Sequence, residues 1–327
     1  MKFYNIIEVI EMFVLSTTRL TNPIEEKLKE EFGNITFEFA ENITDASVHL
    51  PKANIILTYG NDITPEHIEV ASELKWIMVL SAGVEQMPLK EIKERNILMA
   101  NVRGIHKTQM AEYALAMLLN HYQNLAKFYE SQKRKEWNKE VNRREITGRT
   151  LTVVGAGSIG EEIARLGKAF QMKTIAVTQS GGERPYFDQV HKQDTVKEAL
   201  QDADFVISIL PSTKETKGYY SAEHFEWMKT SAVFMNIGRG DVVEEKTLLD
   251  ALDNNQIEHA ILDVTPIEPL PKESRIWSHE KITLTPHISG GSEQYIPRAI
   301  NIFKENLIQF LKDGTLVKNE MNLDRGY

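Results

Sequence analysis

A chain of 327 residues is long enough for two domains with separate cores. Its composition, 42% hydrophobic and 26% charged, excludes a largely disordered chain. A net charge of −9 argues against a nucleic-acid footprint, and the lack of cysteine excludes disulfides, thiolate zinc sites and a catalytic thiol.

The opening stretch, Met1 to Leu20, is fairly apolar, but Asn5, Glu8 and Glu11 interrupt it. No secretory or membrane-spanning segment is expected there or further on, and a cytoplasmic protein is expected. Beyond it, Met12–Leu15, Ile55–Leu57, Trp76–Leu80 and Ile97–Met99 read as buried strands. Pro23–Phe32 and Pro65–Leu74 read as helices, each opening at a proline suited to a first turn. This alternation predicts a parallel sheet covered on both faces. Met110–Leu125 reads as a buried helix, and residues 127–150, charged and containing Gly148, as a surface connection. A second alternating unit follows, with strands at 151–154, 174–177, Phe205–Leu210, Ala232–Asn236, His259–Val264 and 282–284. Six strands with intervening helices predict a complete doubly wound dinucleotide-binding domain. From Gly290 to Leu311, Ile296, Ile300, Phe303, Leu307 and Phe310 fall on one side of a helix expected to return to the first domain.

The expected fold is therefore α/β. A Rossmann domain, residues 102–288, is inserted into a smaller flavodoxin-like substrate domain built from residues 1–101 and 289–327. An active site is expected in the cleft between them, at the carboxyl ends of the strands.

The strongest local signal is Gly155-Ala156-Gly157-Ser158-Ile159-Gly160, which follows the apolar run Leu151–Val154 and precedes an amphipathic stretch, 161–170. A lone GxGxxG is weak; strand, glycine turn and helix together are the context that the dinucleotide fingerprint requires. Gly155 makes the turn, Gly157 lets a pyrophosphate approach, and Gly160 lets helix and strand pack closely. Ser158 and Ile159 open the helix, whose free N–H groups face the phosphates.

Three further signals follow expected strands. In Asn236-Ile237-Gly238-Arg239-Gly240, glycines hold a guanidinium at a loop tip, where it suits bidentate binding of a carboxylate. Asp263 to Pro269 forms a proline-stiffened loop carrying Glu268, and Thr285-Pro286-His287-Ile288-Ser289-Gly290 places a histidine between a proline and glycines. Taken singly, each has an ordinary structural explanation: a surface arginine, a solvated acidic loop, a hydrogen-bonded histidine. Taken together they supply what reduction of a 2-keto acid needs. Arg239 holds the carboxylate, His287 protonates the carbonyl oxygen, and Glu268 pairs with His287 and favours its protonated form. A nicotinamide supplies the hydride.

At these residues the chain resembles the D-isomer-specific 2-hydroxyacid dehydrogenases, in particular glyoxylate/hydroxypyruvate reductases. The resemblance runs from Leu80-Ser81-Ala82-Gly83-Val84-Glu85, through Met110-Ala111-Glu112-Tyr113-Ala114-Leu115-Ala116, to the last helix. Its most specific part is the signature Met228 to Gly240. It implies that Arg239, Glu268 and His287 are the catalytic set and that backbone N–H groups at Ala82 and Gly83 help to bind the substrate carboxylate. It also implies that Leu210, Pro211, Thr216, Ile237 and Asp263 line the nicotinamide and ribose, with Gly238 and Gly290 as further cofactor contacts. Finally, it implies a homodimer built on the nucleotide domains, with the helix around Met110–Leu125 at the interface. The expected ligand is a small 2-keto or 2-hydroxy acid; no nucleic acid, membrane or metal is expected.

The chain departs from that family at the end of the second nucleotide-domain strand. Family members that use NAD place an Asp there to hold the ribose hydroxyls; here the residue is Thr178, followed by Gln179, Ser180, two glycines, Glu183 (the first carboxylate) and Arg184. Hydroxyls, loop N–H groups and an arginine suit a 2′-phosphate, so NADP is expected and NAD is the alternative. A non-enzymatic dinucleotide sensor of the same fold is the competing function. Turnover of NADPH with keto acids separates the two. Oxidation of formate or phosphite is disfavoured, because formate enzymes of this kind carry Gln where Glu268 stands.

Overall fold

The computed structural model describes residues 12–81, 83–84 and 86–323. The chain divides into two compact units, one formed by residues up to Ile105 and from Glu293 onward, the other by His106–Ser292.

The first unit begins β1 (Met12–Ser16), α1 (Asn22–Glu31), β2 (Ile35–Phe39), α2 (Ile43–Ala46), β3 (Ile55–Thr58), α3 (Pro65–Val70), β4 (Trp76–Val79), α4 (Leu89–Glu94) and β5 (Leu98–Asn101). Its strands are parallel, in the order β2-β1-β3-β4-β5, the flavodoxin-like arrangement. The central strands are continuous apolar runs because both their faces are covered. The strand β2 was not anticipated. It sits at the sheet edge and alternates buried Ile35, Phe37 and Phe39 with exposed Thr36 and Glu38.

The second unit opens with α5 (Lys107–Tyr122) and α6 (Leu125–Lys133). One helix to Leu125 and a surface connection from residue 127 were expected. Instead Asn124, in the left-handed region at φ 55°, ends the first helix and starts another. Then follow β6 (Thr150–Val154), α7 (Ser158–Ala169), β7 (Lys173–Thr178), β8 (Gln189–Lys192), α8 (Val196–Gln201) and β9 (Phe205–Ser208). The unit continues with α9 (Ala222–Glu226), β10 (Val233–Asn236), α10 (Glu245–Asp253), β11 (His259–Leu262) and β12 (Ile282–Leu284).

These strands form one parallel seven-stranded sheet, β12-β11-β10-β9-β6-β7-β8. The sequence predicted six of them. The seventh, β8, is the polar edge segment Gln-Val-His-Lys. The strands at 205 and 259 end at Ser208 and Leu262, two residues short of the predicted ends, which frees Leu210 and Asp263 for the following loops. Alternate residues feed opposite cores: Phe234 packs on the side of α8 to α10, whereas Val233 and Met235 pack on the side of α5 and α7. The order in which strands are added reverses at β6, which lies between β7 and β9, the position at which doubly wound sheets open a ligand crevice at their carboxyl ends.

The chain then returns to the first unit with α11 (Tyr295–Asp313), which begins five residues later than predicted. It buries Ala299, Ile300, Phe303, Leu307 and Phe310, and Phe303 stacks on Trp76 with ring centroids 5.3 Å apart. Among the described residues, no helix is long and apolar enough to cross a membrane, and no group of three or more His, Asp or Glu is placed to hold a metal.

Candidate active site

The glycine turn between β6 and α7 is built as its sequence demands. Gly155 takes φ 86°, where a Cβ would meet the Ile209 backbone at 3.0 Å. A Cβ on Gly160 would lie 3.0 Å from the Val153 side chain, so this glycine sets the helix-to-strand approach. Gly157 differs: it caps α7, is exposed, and nothing lies within 4 Å of where its Cβ would stand. Its missing side chain therefore leaves open space at a helix N-terminus. The N–H groups of Ser158, Ile159 and Gly160 occupy the first helical turn, where donors have no intrahelical acceptor. That combination fits a pyrophosphate.

The three candidate catalytic residues follow β10, β11 and β12, which are neighbours in the sheet. Arg239 is exposed and extended, with its guanidinium donating to the Gly238 carbonyl at 3.0 Å. Its flanking glycines are steric necessities. A Cβ on Gly238 would come within 2.5 Å of the Leu210 oxygen, and one on Gly240 within 2.0 Å of the Thr265 backbone. Beneath this loop the buried Asn236 accepts from the Gly238 N–H at 3.2 Å and donates to the Arg239 carbonyl at 2.9 Å.

Glu268 and His287 meet: Nδ1 of the imidazole lies 2.7 Å from Oε2 of the carboxylate. The other oxygen of Glu268 accepts from the Thr265 N–H at 3.1 Å, which fixes the carboxylate against its own loop. This leaves Nε2 of His287 facing away from the pair on a half-exposed ring. His287 has φ 53°, a left-handed backbone that non-glycine residues rarely adopt. Asp263, 1% exposed, holds that turn. It accepts from the Thr285 hydroxyl at 2.7 Å and from the Ile288 and Ser289 N–H groups, both at 2.9 Å. The Asp263 carboxylate, expected to line the cofactor, is thus committed to the loop that carries His287.

Several contributors were not singled out from the sequence. Tyr113, on α5, lies 2.6 Å from the Thr285 hydroxyl, and Gln109, one turn earlier, donates to the Gly290 carbonyl at 2.9 Å. Burial pushes the Tyr113 phenol up to about 12, with the Thr285 hydrogen bond opposing and the Asp263 charge adding. His106 also reaches the Gly290 carbonyl, at 3.3 Å. Burial lowers its pKa, the Gly290 contact opposes this, and the charge of Arg239 lowers it further. A signal was present: Gln109 and Tyr113 stand four apart, on one face of α5, beside the buried Met110 and Ala114.

The remaining candidates of the second unit follow the carboxyl ends of the same sheet. Leu210 and Ile237 are buried, and Pro211 is exposed. The Thr216 hydroxyl ties its loop by donating to the Pro211 carbonyl and accepting from the Thr213 N–H at 2.8 Å. After β7, the Thr178 hydroxyl accepts from the Gly181 N–H at 3.0 Å, while Gln179 and Ser180 stand in solvent. Arg184 pairs with Glu161 of the first turn of α7 at 3.4 Å, yet its Nε is buried without a partner. An orphaned guanidinium donor beside a helix N-terminus fits a phosphate oxygen. In the first unit, Gly83 accepts from the Ser81 hydroxyl at 2.6 Å; Ala82 lies outside the described residues.

The sequence model of the family described as "D-isomer specific 2-hydroxyacid dehydrogenase, NAD binding domain" matches residues 115–289, more than half of the chain. The chain belongs to the D-isomer specific 2-hydroxyacid dehydrogenase family. A family protein of known structure from Aeromonas salmonicida is 33% identical, with a TM-score of 0.85 over 96% of this chain and 100% of that one. The D-3-phosphoglycerate dehydrogenase of Methanocaldococcus jannaschii is 30% identical over 93% of this chain, but the match spans only 59% of that longer protein. A glyoxylate reductase of Korarchaeum cryptofilum is 29% identical over 80% of each chain.

Proposed function

We propose that this protein is an NADP-preferring dehydrogenase that interconverts a small 2-keto acid and the corresponding D-2-hydroxy acid. The observation that carries the reading is the Glu268–His287 pair at 2.7 Å, on the turns after β11 and β12, the two strands that follow in the sheet from the one leading to Arg239. Arg239, with the backbone of Ala82 and Gly83, binds the carboxylate; its planar fork suits two oxygens. Nε2 of His287 delivers a proton to the carbonyl oxygen during reduction and removes it in the reverse direction. Glu268 orients the ring and stabilises its positive charge. The nicotinamide, when bound, supplies or accepts the hydride.

The glycine turn and the first turn of α7 hold the pyrophosphate. Thr178, Gln179, Ser180 and Arg184 hold the 2′-phosphate, with no carboxylate at position 178 to repel it. Glyoxylate and hydroxypyruvate are the proposed substrates, in keeping with the names of several relatives. A cytoplasmic homodimer completes the proposal. Trp137, exposed by 89%, lines with Phe128 a cavity of about 680 Å³, and a second copy would cover it.

A panel of 2-keto acids run with NADH and NADPH in parallel tests the reading. One charge-assisted contact is worth about 1.5–3 kcal/mol, so kcat/KM with NADPH is expected to exceed that with NADH by about tenfold to a hundredfold. Equal or better kinetics with NADH would discard the NADP assignment and leave the dehydrogenase. No turnover with either cofactor, despite tight dinucleotide binding, would favour a sensor.

A further inference from the structure

We propose that Tyr113 is a positioning residue for His287, acting through Thr285, and that α5 thereby serves as the support of the catalytic turn. The inference rests on the reading of His287 as the proton donor. The Thr285 hydroxyl has one hydrogen, and it goes to Oδ1 of Asp263, an acceptor. The short contact between Tyr113 and Thr285, 2.6 Å, is therefore a donation from the phenol to Thr285. The result is a directed chain, Tyr113 to Thr285 to Asp263. The same carboxylate receives the N–H groups of Ile288 and Ser289, the two residues that follow His287.

At the far end of the turn, Gln109 donates to the Gly290 carbonyl, so α5 grips the segment twice, one helical turn apart. A left-handed histidine backbone persists only where its surroundings over-determine it. Asp263 supplies three of those restraints, and Tyr113 orients the hydroxyl that makes one of them. None of these groups needs to touch substrate. Their effect is the aim of Nε2, and a misplaced reacting group loses rate even when binding is intact.

Tyr113→Phe removes one oxygen from the chain and leaves the ring. We expect kcat to fall about tenfold, with KM for the keto acid and Kd for NADPH within twofold of wild type. Hydrogen exchange at the Ile288 and Ser289 amides is expected to accelerate. Thr285→Ser keeps a hydroxyl and is expected to retain most of the activity; Thr285→Val loses it, and adding Tyr113→Phe to Thr285→Val costs nothing more. Wild-type kcat in Tyr113→Phe overturns the proposal, and so does a fall in kcat with unchanged exchange at residues 288 and 289. If the wild type reduces no keto acid, the functional reading fails by itself. The exchange measurement then decides the tether: acceleration supports it, and identical protection overturns it.

Discussion

The turns after β10, β11 and β12 and the loop after β7 sit at the same edge of one parallel sheet, yet they are held in opposite ways. The first three are locked from below by buried polar side chains. Asn236 and Asp263, both almost fully buried, spend their hydrogen-bonding capacity on loop backbone and on one loop hydroxyl. The β7 loop has one tie from Thr178 and a half-exposed ion pair between Arg184 and Glu161. The groups proposed to act on the substrate are anchored to the core, whereas those proposed to choose between cofactors stand on replaceable contacts. On that proposal, chemistry is preorganised and cofactor selectivity is editable.

The largest test of that contrast is removal of the proposed proton donor. His287→Gln is expected to lower kcat by about 10²–10⁴, while Kd for NADPH changes little, because the β7 loop and α7 remain intact. Arg239→Lys keeps the charge but loses the fork, so kcat/KM should drop well beyond threefold. A value within threefold would remove Arg239 from the site.

The locked side should also be intolerant of volume. A Cβ at position 240 would lie 2.0 Å from the Thr265 backbone, so Gly240→Ala must displace either the Arg239 turn or the Glu268 loop. Loss of activity with destabilisation of about 2–4 kcal/mol in urea unfolding is expected. In contrast, Gly157→Ala meets no atom within 4 Å. It should leave stability near wild type and weaken dinucleotide binding alone.

These contrasts follow what the sequence made legible. Central parallel strands announce themselves, because burial on both faces demands unbroken apolar runs such as Ile55–Leu57 and Val233–Met235. The edge strands β2 and β8 did not, because a strand with one wet face carries Thr36 and Glu38, or Gln189 and Lys192, among its apolar residues. Arg239, Glu268 and His287 were legible because strand ends, glycines and prolines mark out loops. The supports were not. Asp263 resembles a ligand-facing acid in sequence, and only the fold shows its oxygens turned onto Thr285, Ile288 and Ser289. Likewise, only the tertiary structure pairs Tyr113 with a residue 172 positions away.

A third region, at the amino-terminal edge of the same sheet, sets the response to acid. His259, at the start of β11, stacks on His121 with centroids 4.2 Å apart and donates to or accepts from the Thr283 hydroxyl at 2.8 Å. Burial, reinforced by the charge of His121, pushes its pKa down to about 3. Beside it, burial pushes Glu258 up, but hydrogen bonds and charge from His121 and Arg144 more than offset this and hold it at about 2. Both folded-state values lie below the unfolded ones, so the unfolded chain binds the extra protons. Stability is therefore complete above about pH 6.5 and falls as pH drops towards 3, first through His259 and then, below about 4.5, through Glu258 as well. Urea midpoints at pH 7.5, 5.5 and 4.5 should record a loss of about 1–3 kcal/mol, smaller in His259→Gln. A flat profile would show that His259 titrates freely in the fold.

The smallest expected effect lies in the editable loop. Glu161 stands in the first turn of α7, 3.4 Å from Arg184, and competes for the guanidinium proposed to bind the 2′-phosphate. Its carboxylate would also repel a phosphate bound to Arg184. Glu161→Gln removes both penalties while preserving shape and helix propensity. A half-exposed ion pair is worth about 0–1 kcal/mol, so Kd for NADPH should improve by no more than about fivefold and Kd for NADH should hardly move. Added salt should shrink the gain, because the pair is solvent-screened. Thr178→Asp works in the opposite direction, restoring a ribose acceptor and repelling the 2′-phosphate, and Glu161→Gln added to it should recover no more than about fivefold for NADPH. Calorimetric titration of each variant with both cofactors reads these terms without turnover. If Glu161→Gln weakens NADPH instead, Glu161 orders Arg184 for the phosphate rather than competing with it, and the β7 loop is as preorganised as the catalytic turns beside it.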